Sequence, residues 1–181
     1  MSRLFTVNRE RDKTVTEVTG RSLVGRTVVS VATGEKLGEI SDVHLDFDAR
    51  RVVGFAIGGG GGLFRHEPPQ ALPFAQVQSI GPQAVTVADN AQVLAAQVVP
   101  TNLAGLERVR KRVVSAGGEV VGDGDDIHFD TATGAITAVQ LAPQGGFLGV
   151  GATTRMIPVA DVIGFGRDVL TVRESAETEI I

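Results

Sequence analysis

The sequence predicts an all-β protein made of two small β-barrels in tandem, joined by a short helical linker. Three observations predict it. The 181-residue chain resembles itself at an offset of 84–85 positions. It is dense in valine and glycine, with 27 and 23 of them, and β-branched residues suit a pleated, half-buried surface. In Asp42-Val43-His44-Leu45-Asp46-Phe47-Asp48 polar and apolar residues alternate without a break, which marks a strand with one wet face. Strands this short leave long unpaired edges unless the sheet closes on itself, hence a barrel.

The elements follow in order. Residues 1–20 are mixed in charge and rich in threonine, and read as an N-terminal arm; the Thr/Val alternation of residues 14–19 allows an extra strand on the first barrel. Residues 21–88 form the first unit. Gly34 sits at a predicted hairpin, and Asp46-Phe47-Asp48-Ala49-Arg50 turns into the apolar run Arg51-Val52-Val53-Gly54-Phe55-Ala56-Ile57. Residues 89–103 read as a linker, with Asp89 placed to cap a short helix over residues 89–97 and Pro100 to follow it. Residues 104–174 form the second unit, with Gly118 at the equivalent hairpin. There Asp130-Thr131-Ala132-Thr133-Gly134, a clear turn composition, precedes Ala135-Ile136-Thr137-Ala138-Val139-Gln140-Leu141. Residues 175–181 read as an acidic C-terminal tail.

The internal likeness is specific. At an offset of 84, Arg26, Val29, Ala32, Gly34, Glu35, Gly38, Asp42, His44 and Asp46 meet Arg110, Val113, Ala116, Gly118, Glu119, Gly122, Asp126, His128 and Asp130. At 85, Pro73, Ala75, Val77, Gly81, Thr86 and Val87 meet Pro158, Ala160, Val162, Gly166, Thr171 and Val172. These are 15 identities over the 64 positions of residues 24–87, against about 6–7% expected by chance for average residue usage.

Composition excludes several function classes. The chain is 43% hydrophobic and 21% charged, with a net charge of -4, a globular composition. It has no cysteine, which rules out disulfides, thiol nucleophiles and Cys-ligated metal centres. With neither Trp nor Tyr it lacks base-stacking platforms, and its acidity disfavours wrapping nucleic acid. The N-terminal residues reach charge before an apolar core can form, so no secretory signal is expected. The longest apolar stretch, residues 52–64, has 13 residues of which six are glycine, too short and too flexible for a spanning helix. The expectation is a cytoplasmic protein, with a position peripheral to a membrane complex left open.

In both units, Gly25-Arg26…Gly38-Glu39-Ile40-Ser41-Asp42-Val43…Asp46, Val52-Val53-Gly54-Phe55-Ala56-Ile57 and Leu72-Pro73-Phe74-Ala75-Gln76-Val77…Ile80-Gly81…Val85-Thr86-Val87 find counterparts. The second set runs Gly122-Asp123-Gly124-Asp125-Asp126-Ile127…Asp130, Ile136-Thr137-Ala138-Val139 and Ile157-Pro158-Val159-Ala160-Asp161-Val162…Phe165-Gly166…Leu170-Thr171-Val172. Three such elements, in one order and twice over, resemble the PRC-barrel family. That family includes the cytoplasmic barrel of the photosynthetic reaction-centre H subunit and the C-terminal barrel of the bacterial ribosome maturation factor RimM. The second unit departs at its start, where Val109 takes the family's glycine position. The resemblance implies a non-catalytic adaptor that docks on a larger assembly, without cofactors.

Four constellations are candidates for chemistry. The doubled Asp-x-His-x-Asp places Asp42, His44 and Asp46, and again Asp126, His128 and Asp130, on one strand face each. These residues either initiate turns around a solvated histidine, ligate a transition metal, or form a pH-responsive surface. Same-face neighbours on one strand stand about 6.5–7 Å apart, which argues against a metal. The two Gly-rich loops carry Leu63-Phe64 and Phe147-Leu148, either plugs of the barrel ends or exposed anchors for a partner. Gly58 to Gly62 lack the following Lys-Ser/Thr of a phosphate-binding loop. Arg108, Arg110 and Arg112 alternate as if along one strand, a basic stripe that is either a solvated face or a contact for an acidic partner, anionic headgroups or RNA. No hydrolase elbow, HExxH or kinase signature occurs, and an enzyme is not expected. The expected function is a protein-interaction module on a larger complex. Its alternatives are an accessory subunit of a membrane photosynthetic or electron-transfer assembly, a ribosome- or RNA-associated factor, and a metal- or pH-sensing barrel; a homo-oligomer stays open.

Overall fold

Two strand sets, each preceded by a one-turn 3₁₀ segment, organise the chain. The computed structural model describes residues 17–58, 70–89, 94–95, 105–144, 153–174 and 179–180. The first unit contains β2 (Thr27–Ser30), β3 (Lys36–Asp46), β4 (Arg51–Gly58), β5 (Gln70–Pro73), β6 (Val77–Ile80), β7 (Ala84–Val87) and β8 (Leu94–Ala95). They form a seven-stranded sheet in the order β6-β7-β2-β3-β4-β5-β8. The second contains β9 (Arg112–Ser115), β10 (Val120–Asp130), β11 (Ile136–Leu141), β12 (Arg155–Pro158), β13 (Val162–Phe165), β14 (Val169–Val172) and β15 (Glu179–Ile180). Their order, β13-β14-β9-β10-β11-β12-β15, repeats the first strand for strand, and β1 (Glu17–Thr19) pairs with β10 in addition. The parallel pair falls at the same place in both, β2 with β7 and β9 with β14. The described residues are therefore all-β, and their regular helices are 3₁₀ turns of three or four residues.

The expected helical linker is not supported by the described residues. Leu94 and Ala95 lie in β8, antiparallel to Ala71 and Gln70 of β5. An isolated helix of nine residues is marginal in water, whereas the edge of β5 offers a row of unpaired backbone groups. Within the C-terminal tail, Glu179–Ile180 adds to β12 as β15. The N-terminal arm does supply a strand, but on the other unit, with Val18 opposite Phe129 and Thr19 opposite His128.

Register is corrected once. At the first strand of each unit the offset is 85, not 84: Thr27 pairs with Ala84 and Arg112 with Val169. Val28, Val29 and Ser30 thus stand where Val113, Val114 and Ser115 stand, and Arg26 corresponds to Lys111 rather than Arg110. A one-residue slip moves every side chain to the other face, and Val28 and Val113 are both fully buried. Along β3/β10 and β4/β11 the offset of 84 holds, with bulges at Ile40/Asp42 and Gly124/Asp126, and from β5/β12 it is 85 as the sequence alignment has it.

The buried residues of the two units form one hydrophobic cluster, from Leu23, Val43 and Phe55 through Phe129, Val139 and Leu170. Phe74 of the first unit bridges it, 6.2 Å from Phe55 and edge-on to Phe129 at 6.4 Å. At the centre, Arg51 bridges Ala135 in antiparallel fashion. The Val52 amide donates to the Gly134 carbonyl (2.7 Å) and the Ile136 amide to the Arg50 carbonyl (2.9 Å). Positions 84 apart face one another here, the reciprocity of a local two-fold relation.

Candidate functional site

The Asp-x-His-x-Asp strands stitch the two units together. The bulge at Asp126 leaves its side chain 3% exposed, and its two carboxylate oxygens accept the Arg21 backbone amide at 3.1 and 3.0 Å. It also accepts the Ile127 amide at 2.8 Å. Arg21 opens the 3₁₀ turn Arg21–Leu23 of the other unit, whose first amides have no partner within the turn. Asp42 does the same in reverse: it accepts the amide of Leu106, which opens the 3₁₀ turn Leu106–Val109, at 3.1 Å, and that of Val43 at 2.8 Å. Gly20 and Gly105, just before the two turns, leave room for these carboxylates. A Cβ on Gly20 would stand 3.1 Å from Asp126 Oδ1.

The second aspartates act within their own turns. Asp46 accepts the Ala49 amide at 2.9 Å, and Asp130 those of Ala132 and Thr133 at 3.0 and 2.8 Å. Four carboxylates thus serve backbone amides, and among the described residues no three His, Cys, Asp or Glu side chains converge as a metal site. The two histidines differ. His128 Nε2 lies 3.1 Å from Gln140 Oε1 and its Nδ1 lies 3.7 Å from Glu17 Oε1. In the first unit Ala56 stands at the position equivalent to Gln140 and offers no side-chain acceptor, and among the described residues the buried Nδ1 of His44 has no hydrogen-bond partner.

The predicted basic stripe does not exist as a strand face. Arg108 belongs to the 3₁₀ turn, Arg110 follows it, and only Arg112 is in β9. Arg112 Nε bonds Asp123 at 2.8 Å, and Arg110 Nε stands 4.0 Å from Asp125, which also holds the Arg21 guanidinium at 2.7 Å. Both members of the Arg112–Asp123 pair are more than half exposed, so Arg112→Ala is expected to change unfolding free energy by less than about 1 kcal/mol in urea titration. Leu63, Phe64, Phe147 and Leu148 lie outside the described residues.

Sequence reasoning missed three features. Arg26 and Lys111, equivalent in the corrected register, donate to the carbonyls of the equivalent glycines Gly81 (2.6 Å) and Gly166 (2.7 Å). Burial lowers the pKa of both cations; for Lys111 nearby Arg108 and Arg167 add to this. Arg50, at φ 52, reaches across to the Val159 and Val162 carbonyls at 3.0 and 2.9 Å, and Phe47 stacks on Phe165 at 4.4 Å. An aromatic residue and an arginine in a turn, where the other unit has Thr131 and Gly134, were the available signal. Third, an open groove of ≈ 880 Å³ lies between the units, lined among others by Val52, Phe74, Val77, Ser79, Thr131 and Thr133.

Reciprocal backbone capping between two small sheets of one strand order defines a structural, doubled β-module. Residues 15–94 match the family model of the PRC-barrel domain. No curated protein matched the chain. Among the described residues no helix is long and apolar enough to cross a membrane.

Proposed function

We propose that the chain is a non-catalytic docking module that seats on a larger assembly, and that the second sheet, with its matching strand order, is a second PRC-barrel unit. One observation carries this reading. The first aspartate of each Asp-x-His-x-Asp strand, Asp42 and Asp126, caps the other unit's 3₁₀ turn, and the second closes its own hairpin turn, so these carboxylates hold one body suited to presenting surfaces. The match of residues 15–94 to a family whose domains often serve interaction or assembly supports it.

The finer form of the proposal is a cytoplasmic accessory subunit beside a membrane photosynthetic or electron-transfer complex; association with ribosomes is the competing form. Affinity capture of the tagged chain from gently lysed native cells, membranes and ribosomes retained, tests both. The expected result is a stoichiometric protein partner that is lost when Leu63, Phe64, Phe147 and Leu148 are all changed to Ser. Salt-sensitive sedimentation with ribosomes would replace the membrane form by the ribosomal one. Recovery of the chain alone would remove the docking reading.

A further inference from the structure

The two histidines of the Asp-x-His-x-Asp strands are equivalent in sequence and unlike in surroundings. His128 stands between two acceptors, Gln140 Oε1 at 3.1 Å from its Nε2 and Glu17 Oε1 at 3.7 Å from its Nδ1. Gln140 is on β11, whereas Glu17 is on β1, the three-residue strand that precedes the first unit yet pairs with residues 128–130 of β10. Glu17 also accepts the Thr137 hydroxyl and has Asp130 directly opposite in the ladder. The other charged groups around β10 are engaged elsewhere. Asp126 accepts the Arg21 and Ile127 amides, Asp130 closes its turn, Asp125 holds the Arg21 guanidinium, and Asp123 pairs with Arg112 of β9. In the 3₁₀ turn Leu106–Val109, Glu107 and Arg108 lie near Lys111, and β11 carries no ionisable side chain. Among the described residues His128 is the one cation-forming group at ion-pair distance from the Glu17 carboxylate.

We propose that protonation of His128 latches β1 onto the second unit, so that this strand is held in mildly acidic solution and loosened in mildly alkaline solution. The inference stands apart from the docking reading and concerns the N-terminal strand alone. A neutral imidazole has a single N–H and satisfies one of the two acceptors; with that proton given to Gln140, the Nδ1 lone pair faces the carboxylate. Only the imidazolium offers a donor on both sides. Its charge also offsets the repulsion between Glu17 and Asp130, because like charges directly opposite in a ladder are destabilising. Histidine is the side chain whose charge ordinarily changes between pH 5 and 8. The latch acts on a short strand, with three register pairs to β10, and such an element opens locally without unfolding the rest. The Thr137 hydroxyl bond holds Glu17 in either protonation state, so the pH dependence comes from His128. His44 lacks the arrangement: Ala56 replaces Gln140, and its buried Nδ1 has no partner among the described residues.

The test is amide hydrogen exchange of the full chain at pH 5.5 and pH 7.5, expressed as protection relative to the intrinsic rate at each pH. The reporters are the β1 amides and the Gly20 amide, which donates to the Ile127 carbonyl at 2.9 Å; the β11 amides serve as the internal reference. Protection of the reporters relative to β11 should be about threefold higher or more at pH 5.5, the size expected of a partly exposed ion pair. His128→Gln and Glu17→Gln should each remove the difference, and His44→Gln should leave it in place. If His128→Gln fails to fold, Glu17→Gln, at an exposed position, carries the test. Equal protection at the two pH values would overturn the inference. So would a pH dependence that survives Glu17→Gln, or one that disappears with His44→Gln.

Discussion

Phe129→Ala is expected to lower the unfolding free energy by about 3–5 kcal/mol, the usual cost of emptying a large buried aromatic site. Phe129 is fully buried and meets Phe74 of the other unit edge-on at 6.4 Å. The loss should therefore weaken the whole chain and not the second sheet alone. With neither Trp nor Tyr in the chain, far-UV circular dichroism in urea is the suitable probe. A single transition, shifted as a whole, is expected for both proteins. A double-mutant cycle with Phe74→Ala should return a coupling of about 0.5–1.5 kcal/mol. Two separate transitions, with no coupling across the pair, would mean that the shared cluster does not bind the units energetically.

Asp126→Ala should cost about 2–3 kcal/mol in the same measurement. It removes the acceptor of the Arg21 and Ile127 amides at a position 3% exposed. Hydrogen bonds to charged groups are worth about 1.5–3 kcal/mol, and a buried amide left without a partner adds its desolvation cost. Asp42→Ala, at a half-buried position, should cost less, and Asp126→Asn should fall between wild type and Ala because one acceptor oxygen remains. A change below the noise for Asp126→Ala would mean that water replaces the carboxylate and that the cross-unit cap is incidental.

Much of the fold was legible because strand alternation and internal likeness are local, one-dimensional signals. The alternation at residues 42–48 marked part of β3, and the turn composition of residues 130–134 marked the β10–β11 hairpin. The helix expected over residues 89–97 is not supported at Leu94 and Ala95 because a run this short, though rich in helix-forming Ala, Leu and Gln, is not held by propensity alone. The open edge of β5, distant in sequence, decided for a strand. The first-strand register was misread by one residue because Arg26/Arg110 and Ala32/Ala116 offered accidental identities. Burial of Val28 and Val113, a property of packing, selects the other alignment.

For the candidate site the division is sharper. Reading Asp42 and Asp126 as turn or cap residues needed only their type and spacing, since a short carboxylate suits free backbone amides. That each would cap the other unit's 3₁₀ turn was beyond any local pattern, because the partners are 64 and 105 residues away. The groove was equally hidden, because Val52, Phe74 and Val77 on one side and Thr131 and Thr133 on the other are brought together only in the assembled chain. The sequence by itself determined the strand class, the doubled unit and the polar residues that close turns, because these depend on neighbours a few positions away. The tertiary structure alone decided which unit each strand and cap serves, because pairing across dozens of residues is chosen by burial and by unsatisfied backbone groups in the assembled core.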